Sequence, residues 1–143
     1  MRVSQRDLGG HSFTIREWGL EGLPKLLMLH GFPEYGGAWD ALALRLSDRF
    51  HCIAPDQRGY GASYAPDEVE AYTLSNLVDD MAALIGNDAP VIVMGHDWGA
   101  AVAYGLAMFR PELVTHLIVA NGVHPAPFQR ALAAGGAQSA ASR

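Results

Sequence analysis

One short stretch constrains the fold more than any other, because within it the chain passes abruptly from a strand to a helix. Residues 91–94 (V-I-V-M) follow a proline and are apolar and mostly β-branched, which predicts a buried strand. The sequence G-H-D-W-G comes next, and residues 100–109 then predict a tightly packed helix. Gly95 and Gly99 leave room for strand and helix to approach closely. Asp97, between them, is therefore expected at the exposed tip of a sharp turn.

An aspartate at such a turn has two interpretations. It can cap the following helix, since aspartate is favoured at helix N-termini. It can also be a nucleophile, and its chemistry then limits the substrate. Attack on an acyl carbon would give a reactive anhydride, whereas attack on an alkyl carbon of a strained ring or a carbon–halogen bond gives an ester that water can cleave. A nucleophilic Asp97 therefore favours alkyl electrophiles over peptides and esters.

Three further motifs follow predicted strands. Residues 30–34 (H-G-F-P-E) come after the first buried strand, and residues 56–63 (D-Q-R-G-Y-G-A-S) come after the second. Residues 121–125 (N-G-V-H-P) come after the last predicted strand. Because the carboxyl ends of parallel strands meet at one edge of a sheet, we expect these motifs to lie near Asp97.

Together the four motifs resemble the α/β-hydrolase superfamily and, within it, the epoxide hydrolases. The resemblance implies an α/β-hydrolase fold with Asp97 as the nucleophile. It also implies that the backbone N–H groups of Phe32 and Trp98 form the oxyanion hole. The implied reaction opens a small apolar epoxide to a vicinal diol through an alkyl ester on Asp97, with water as second substrate and with no cofactor or metal.

The resemblance further implies a set of residues that shape the loops or line the substrate pocket, namely His30, Gly31, Pro33, Glu34, His96 and His124. The alternative for H-G-F-P-E is an ordinary Gly-Pro turn. In the D-x-R-G-x-G-x-S segment, Asp56 and Arg58 are expected to hydrogen-bond backbone groups. His124 could border the pocket, and ordering its own loop is the preferred role.

Two departures from the patterns of other members distinguish this sequence within the superfamily. Haloalkane dehalogenases typically carry asparagine where Phe32 stands, because its amide helps to bind the leaving halide. Fluoroacetate dehalogenases carry arginines at the positions of Trp98 and Ala101. Both departures favour an epoxide hydrolase. Trp98 is shared with haloalkane dehalogenases, so a dehalogenase on the same nucleophile stays open as an alternative, as does a non-catalytic α/β-hydrolase-like domain.

Alternating strands and helices predict an α/β fold with a mostly parallel, doubly wound sheet. Arg2–Leu8 and His11–Trp18 predict an antiparallel hairpin at its edge. Helices are expected over residues 38–46, 74–85 and 100–109, with Thr73 as the N-cap of the second, and a last strand over residues 114–120. Residues 1–127 are assigned to the N-terminal part of the α/β-hydrolase core, and residues 128–143 to the start of a cap region or a frayed tail.

Two finer expectations concern packing. The first helix is predicted to turn Trp39, Leu42 and Leu46 toward the core. Residues 133–143 are rich in alanine, glycine and serine, so we expect them to be frayed or extended.

Composition excludes several function classes. The net charge is −5 and no basic cluster is present, which argues against nucleic acid as the main partner. The N-terminal residues carry no apolar signal segment and no run is long enough for a membrane span, so a cytoplasmic location is expected. The single cysteine, Cys52, predicts a buried inert thiol. Scattered histidines give no metal-ligand spacing.

The family pattern needs more than these 143 residues contain. It includes a histidine after the last strand to activate water, an acidic partner for that histidine, and cap-domain tyrosines that protonate the epoxide oxygen. We therefore expect a chain truncated before the cap domain and the last strands, and without turnover alone. An exposed sheet edge is expected to favour self-association.

Overall fold

The computed structural model describes residues 1–87 and 89–141, with no account of the side chains at 138 and 139. Six strands form one sheet in the order β1-β2-β4-β3-β5-β6. The strands are β1 (Arg2–Leu8), β2 (His11–Trp18), β3 (Lys25–Leu29), β4 (His51–Pro55), β5 (Val91–His96) and β6 (Val114–Ala120). The helices are α1 (Asp40–Leu46), α2 (Leu74–Ile85), α3 (Trp98–Phe109), α4 (Pro125–Ala133) and α5 (Ala137–Ala141).

The predicted sheet is confirmed. Strands β4, β3, β5 and β6 are parallel, whereas β1 pairs antiparallel with β2 and β2 pairs antiparallel with β4. The hairpin bends at Gly9 and Gly10, both of which have positive φ, a conformation that suits glycine. The sites at the carboxyl ends of the parallel strands therefore share one edge of the sheet.

Apolar side chains alternate between the two faces of the sheet and form two core clusters. Leu27, Leu29 and Val93 face α2 and α3. Leu26 and Met28 face the other side, where α1 and a preceding 3₁₀ turn cover them. Helix α2 begins where predicted, because the Thr73 hydroxyl accepts a hydrogen bond from the Asn76 N–H and caps it.

Two local predictions are wrong. Leu42 is 37% exposed, and Ala43 occupies the fully buried position instead. Trp39 and Leu46 pack against the core as predicted, and Ala43 completes that face because it stands four residues after Trp39 and three before Leu46. The tail is helical at Ala137–Ala141 rather than extended. Residues 142 and 143 lie outside the described residues.

The predicted boundary between residues 127 and 128 falls inside α4, so the two-part division stays a prediction. Among the described residues, the longest helices have twelve residues, and none has the length and apolar character of a membrane span.

Candidate active site

The turn between β5 and α3 holds Asp97 in an unusual backbone conformation. Its φ is 53° and its ψ is −121°, in a region that non-glycine residues rarely adopt. A Cβ atom at Gly95 would collide with the Gly99 carbonyl, and one at Gly99 would collide with the Leu29 carbonyl. The two glycines thus allow the backbones of β5, α3 and β3 to meet. The sharp turn predicted from their spacing is present, and Asp97 is exposed at its tip.

The Asp97 carboxylate accepts hydrogen bonds from backbone groups. The Phe32 N–H donates to Asp97 Oδ1 at 2.9 Å. The Phe32 and Trp98 N–H groups, in that order, lower the pKa of Asp97 below its ordinary value of 3.8, and the His96 charge adds a smaller effect. The Asp97 side chain makes no cap bond to the second or third N–H of α3, so the helix-cap interpretation is not supported. The carboxylate is ionised at neutral pH and faces solvent.

Glu34 connects the H-G-F-P-E loop to the strand that carries the nucleophile candidate. Its Oε2 accepts a hydrogen bond from the Gly31 N–H at 3.1 Å and lies 3.3 Å from His96 Nδ1. Gly31 is packed against Asp97, since a Cβ atom there would lie 2.5 Å from the Asp97 Cβ. The Phe32–Pro33 peptide bond is cis. The loop therefore holds the Phe32 N–H beside Asp97.

His30 lies beneath the same loop and is fully buried. Its Nε2 accepts a hydrogen bond from the Gln57 N–H at 3.1 Å, so Nδ1 carries the proton and donates to the Gly31 carbonyl at 2.9 Å. Burial lowers the pKa of the His30 imidazole, which favours the neutral ring. Both ring nitrogens are occupied by backbone groups, which fits the loop-shaping role expected for His30.

The D-x-R-G-x-G-x-S segment hydrogen-bonds backbone as expected, and its charges also have side-chain partners that the sequence did not indicate. Asp56 accepts a hydrogen bond from the Gly36 N–H at 2.9 Å and pairs with Arg16. Arg58 donates to the Ala71 carbonyl at 2.8 Å and forms a two-bond pair with Asp80 at 2.8 and 2.7 Å. An acidic residue on the apolar face of α2 was the signal for the second pair.

His124 orders the start of α4. Its Nδ1 accepts a hydrogen bond from the Ala126 N–H at 3.2 Å, and its ring packs edge-on against Tyr104 with 5.0 Å between centroids. A cleft of about 750 Å³ lies beside Asp97, and its described lining includes the neighbours Val123 and Pro125 but not His124. The cleft is lined by Asp97, Trp98, Ala100, Ala101, Asn121, Gly122, Val123, Pro125, Phe128 and Gln129.

An exposed carboxylate on a strained strand-to-helix turn, with two backbone N–H donors and a parallel sheet behind it, defines a hydrolase-type elbow. The chain belongs to the alpha/beta hydrolase fold family, whose sequence profile matches residues 24–139. The AB hydrolase superfamily protein YfhM of Bacillus subtilis is 44% identical over 119 residues, which are 81% of this chain and 42% of that protein. Epoxide hydrolase 3 of Mus musculus is 41% identical over 101 residues, 69% of this chain and 28% of that protein.

Solved structures give the same picture. One described as a novel epoxide hydrolase from metagenomes of hot environments has a TM-score of 0.86 at 40% identity, and the match covers 90% of this chain and 45% of that one. An epoxide hydrolase from Vigna radiata has a TM-score of 0.79 at 37% identity, covering 82% of this chain and 39% of that one. The resemblance inferred from the motifs is confirmed, and the chain spans less than half the length of the relatives it matches.

Proposed function

We propose that this chain carries the nucleophile and oxyanion hole of an epoxide hydrolase-like enzyme. The observation that carries the proposal is the contact of the Phe32 N–H with Asp97 Oδ1 at the tip of the elbow. Similarity to proteins named epoxide hydrolases supports the substrate class. Phe32 also lacks the side-chain amide that a haloalkane dehalogenase would use for halide.

The first step is alkylation of Asp97. Because the Phe32 N–H binds Oδ1, we assign the attack to Oδ2. Its lone pair forms a bond to an epoxide carbon as the ring C–O bond breaks. The ring oxygen becomes a hydroxyl group by taking a proton, which a cap-domain tyrosine supplies in the whole enzyme and solvent water supplies to this chain alone. The product is a 2-hydroxyalkyl ester of Asp97, in which Oδ1 is the carbonyl oxygen.

The second step is hydrolysis of that ester. Water attacks Cγ of Asp97, and the negative charge that develops on Oδ1 is stabilised by the N–H groups of Phe32 and Trp98. The Phe32 N–H already donates to Oδ1 at 2.9 Å, so it is aimed at the atom where charge develops. Collapse of the intermediate releases a vicinal diol and regenerates the carboxylate.

Hydrolysis needs a base that the histidines of this chain do not supply. Both nitrogens of His30 are bonded to backbone groups, and His96 Nδ1 lies beside Glu34. His51 pairs with Glu17 at the amino end of β4, and His124 orders α4. His11 is stacked on Tyr64 in the hairpin, and His116 lies near the start of β6. We therefore propose that the 143-residue chain is alkylated once and does not turn over.

Intact-mass spectrometry after incubation with styrene oxide tests the proposal. We expect a mass increase of one epoxide, located at Asp97 by peptide mapping, and no adduct in Asp97→Asn. Asp48→Asn, which changes an exposed carboxylate in the turn before β4, at the amino ends of the parallel strands, is the matched control and should react like the wild type. Diol without a lasting adduct would contradict the absence of turnover.

Two further outcomes would identify the alternatives. Halide release from 1-chlorobutane, with no reaction toward the epoxide, would make the chain a dehalogenase. No covalent product from either reagent would favour a non-catalytic domain.

A further inference from the structure

A second cavity shares the lining residue Trp98 with the cleft. It has a volume of about 220 Å³ and lies between the loop after β4, helix α2 and helix α3. Three aromatic and two aliphatic side chains line it, and we call it the aromatic slot: Tyr60, Tyr72, Leu77, Trp98 and Val102. The sequence gives the D-x-R-G-x-G-x-S segment only a structural role, so it does not predict this cavity.

Three polar side chains around the slot already have protein partners. Gln57 donates its side-chain N–H to the His30 carbonyl at 2.7 Å, and Arg58 is paired with Asp80. The Tyr72 hydroxyl donates to the Pro66 carbonyl at 2.8 Å. The slot therefore offers mainly ring faces and methyl groups, beside the Tyr60 hydroxyl. Its ligand should be mainly apolar and uncharged.

The slot is next to the reacting carboxylate. Trp98, which directly follows Asp97, lines both the slot and the cleft. Burial, and after it the negative charge of Asp97, raises the pKa of the Tyr60 phenol, so Tyr60 lies within electrostatic reach of Asp97. A group bound in the slot therefore either belongs to the molecule that reacts at Asp97 or lies very close to that molecule.

The volume of the slot limits the size of the group that it can hold. An apolar cavity of about 150 Å³ binds benzene. The slot, at about 220 Å³, therefore has room for a phenyl ring or a branched alkyl group, and not for a fused ring system.

We propose, on the basis of the function proposed above, that the aromatic slot holds a compact apolar arm of the epoxide while its ring reacts at Asp97. The cleft, which shares Trp98 with the slot, presents Asn121 and Gln129 among its lining residues. It receives the more polar end of the substrate. The substrate class is then a terminal or unsymmetrical epoxide with one phenyl-sized arm.

Substitutions of Leu77 test the slot by filling or enlarging it. Leu77→Trp should lower the alkylation rate with styrene oxide, relative to the rate with propylene oxide, by about tenfold, because the larger arm loses its site. Leu77→Ala should raise the relative rate with a naphthyl oxirane, a gain that misfolding cannot produce. Leu74→Trp is the matched control, because Leu74 lies one turn earlier on α2, is 39% exposed and is not among the slot residues.

A binding measurement that needs no reaction accompanies the rates. Toluene, titrated into the wild-type chain, should shift the NMR signals of the Leu77 and Val102 methyl groups and leave those of Leu74 unchanged. Leu77→Trp should abolish the shift at Val102.

The outcomes separate the two proposals. Alkylation of Asp97 with an unchanged rate ratio in Leu77→Trp, and no toluene shift, would overturn the slot assignment and leave the proposed function intact. No alkylation by any epoxide in any variant would overturn the proposed function and this assignment with it.

Discussion

Two carboxylates at opposite ends of the parallel strands are held in different ways. Glu17 lies at the amino end and is 3% exposed. Arg2 donates to its Oε2 at 2.9 Å and Arg6 to its Oε1 at 2.6 Å, and His51 Nε2 lies 3.1 Å from Oε1. Asp97 lies at the carboxyl end and is exposed, and the bonds that hold it in the described structure come from backbone N–H groups.

Both carboxyl groups have lowered pKa values, for different reasons. Burial opposes ionisation of Glu17, but the bonds from Arg2 and Arg6 outweigh it and lower the pKa. The pKa of Asp97 is lowered chiefly by the N–H groups of Phe32 and Trp98. Side-chain cations surround and neutralise Glu17, whereas backbone donors leave Asp97 accessible. A lowered pKa alone therefore does not identify a nucleophile, and accessibility separates the two.

The largest expected effect is on covalent reaction with an epoxide. Asp97→Asn should lower the alkylation rate by at least about 10⁴-fold, since an amide is not a nucleophile here. Glu17→Gln should leave the rate within about twofold of the wild type, because Glu17 lies at the other end of the strands. Rates are measured by intact mass under native conditions. An equal loss in both variants would break the comparison.

The free energy of unfolding should depend on Glu17, in contrast to the alkylation rate, which depends on Asp97. Glu17→Gln leaves the two arginines without their counter-charge and should lower the free energy of unfolding by about 1–2 kcal/mol, a value reduced because both arginines are partly exposed. Urea denaturation measures it. Glu21→Gln is the matched control, since Glu21 also pairs with Arg2 and is 73% exposed, and should change stability by less than about 0.5 kcal/mol.

The pH dependence of stability should come from Glu17 as well. Its pKa is lower in the folded state than its ordinary value of 4.5, so its contribution is present above that value and is lost as the pH falls through the folded pKa. Wild-type stability should therefore decline more steeply than that of Glu17→Gln as the pH falls below about 5. Urea midpoints at a series of pH values test this, and parallel profiles would refute it.

A smaller gain is expected at the nucleophile itself. Asp97→Gly removes a side chain from a backbone with φ of 53°, so it should raise the melting temperature while abolishing alkylation. The gain should be about 1 kcal/mol or less. Differential scanning calorimetry measures it, and a loss of stability would mean that the Phe32 and Trp98 bonds to Asp97 outweigh the strain.

The smallest effect concerns self-association, which stays a prediction. Strand β6 ends the sheet, and Ile118 on it is 41% exposed. Ile118→Lys should weaken dimerisation about tenfold, because a lysine disfavours pairing at an edge. Val3→Lys on the opposite edge strand is the control. Light scattering over a range of concentrations decides, and a monomeric wild type would exclude the prediction.

Local signals in the sequence predicted much of the fold. The hairpin, the Thr73 cap and strand β6 were predicted from turn glycines, a capping residue and apolar runs. The exposure of Leu42 was not, because positions three and four residues after Trp39 can both continue a helical face, and the sequence does not show that Ala43 is the buried one.

Some features of the candidate site were likewise predicted from the sequence, and others were not. The elbow was predicted because its glycines lie close together in sequence, and the place of the Phe32 N–H beside Asp97 followed from a family resemblance. The position of Asp80 on the apolar face of α2 indicates a buried partner. Its pairing with Arg58 and the aromatic slot depend on how distant segments meet, which sequence spacing does not encode.

The crowded turn at Gly95 and Gly99 limits which substitutions this sequence can accept during evolution. At both glycines any side chain would displace the backbone of a neighbouring element, so substitution there should remove the folded protein from a library. At Asp97, between them, most substitutions should survive a screen for folding and fail a screen for labelling. Within these five residues, Gly95 and Gly99 are therefore under selection for folding, whereas Asp97 is under selection for the reaction.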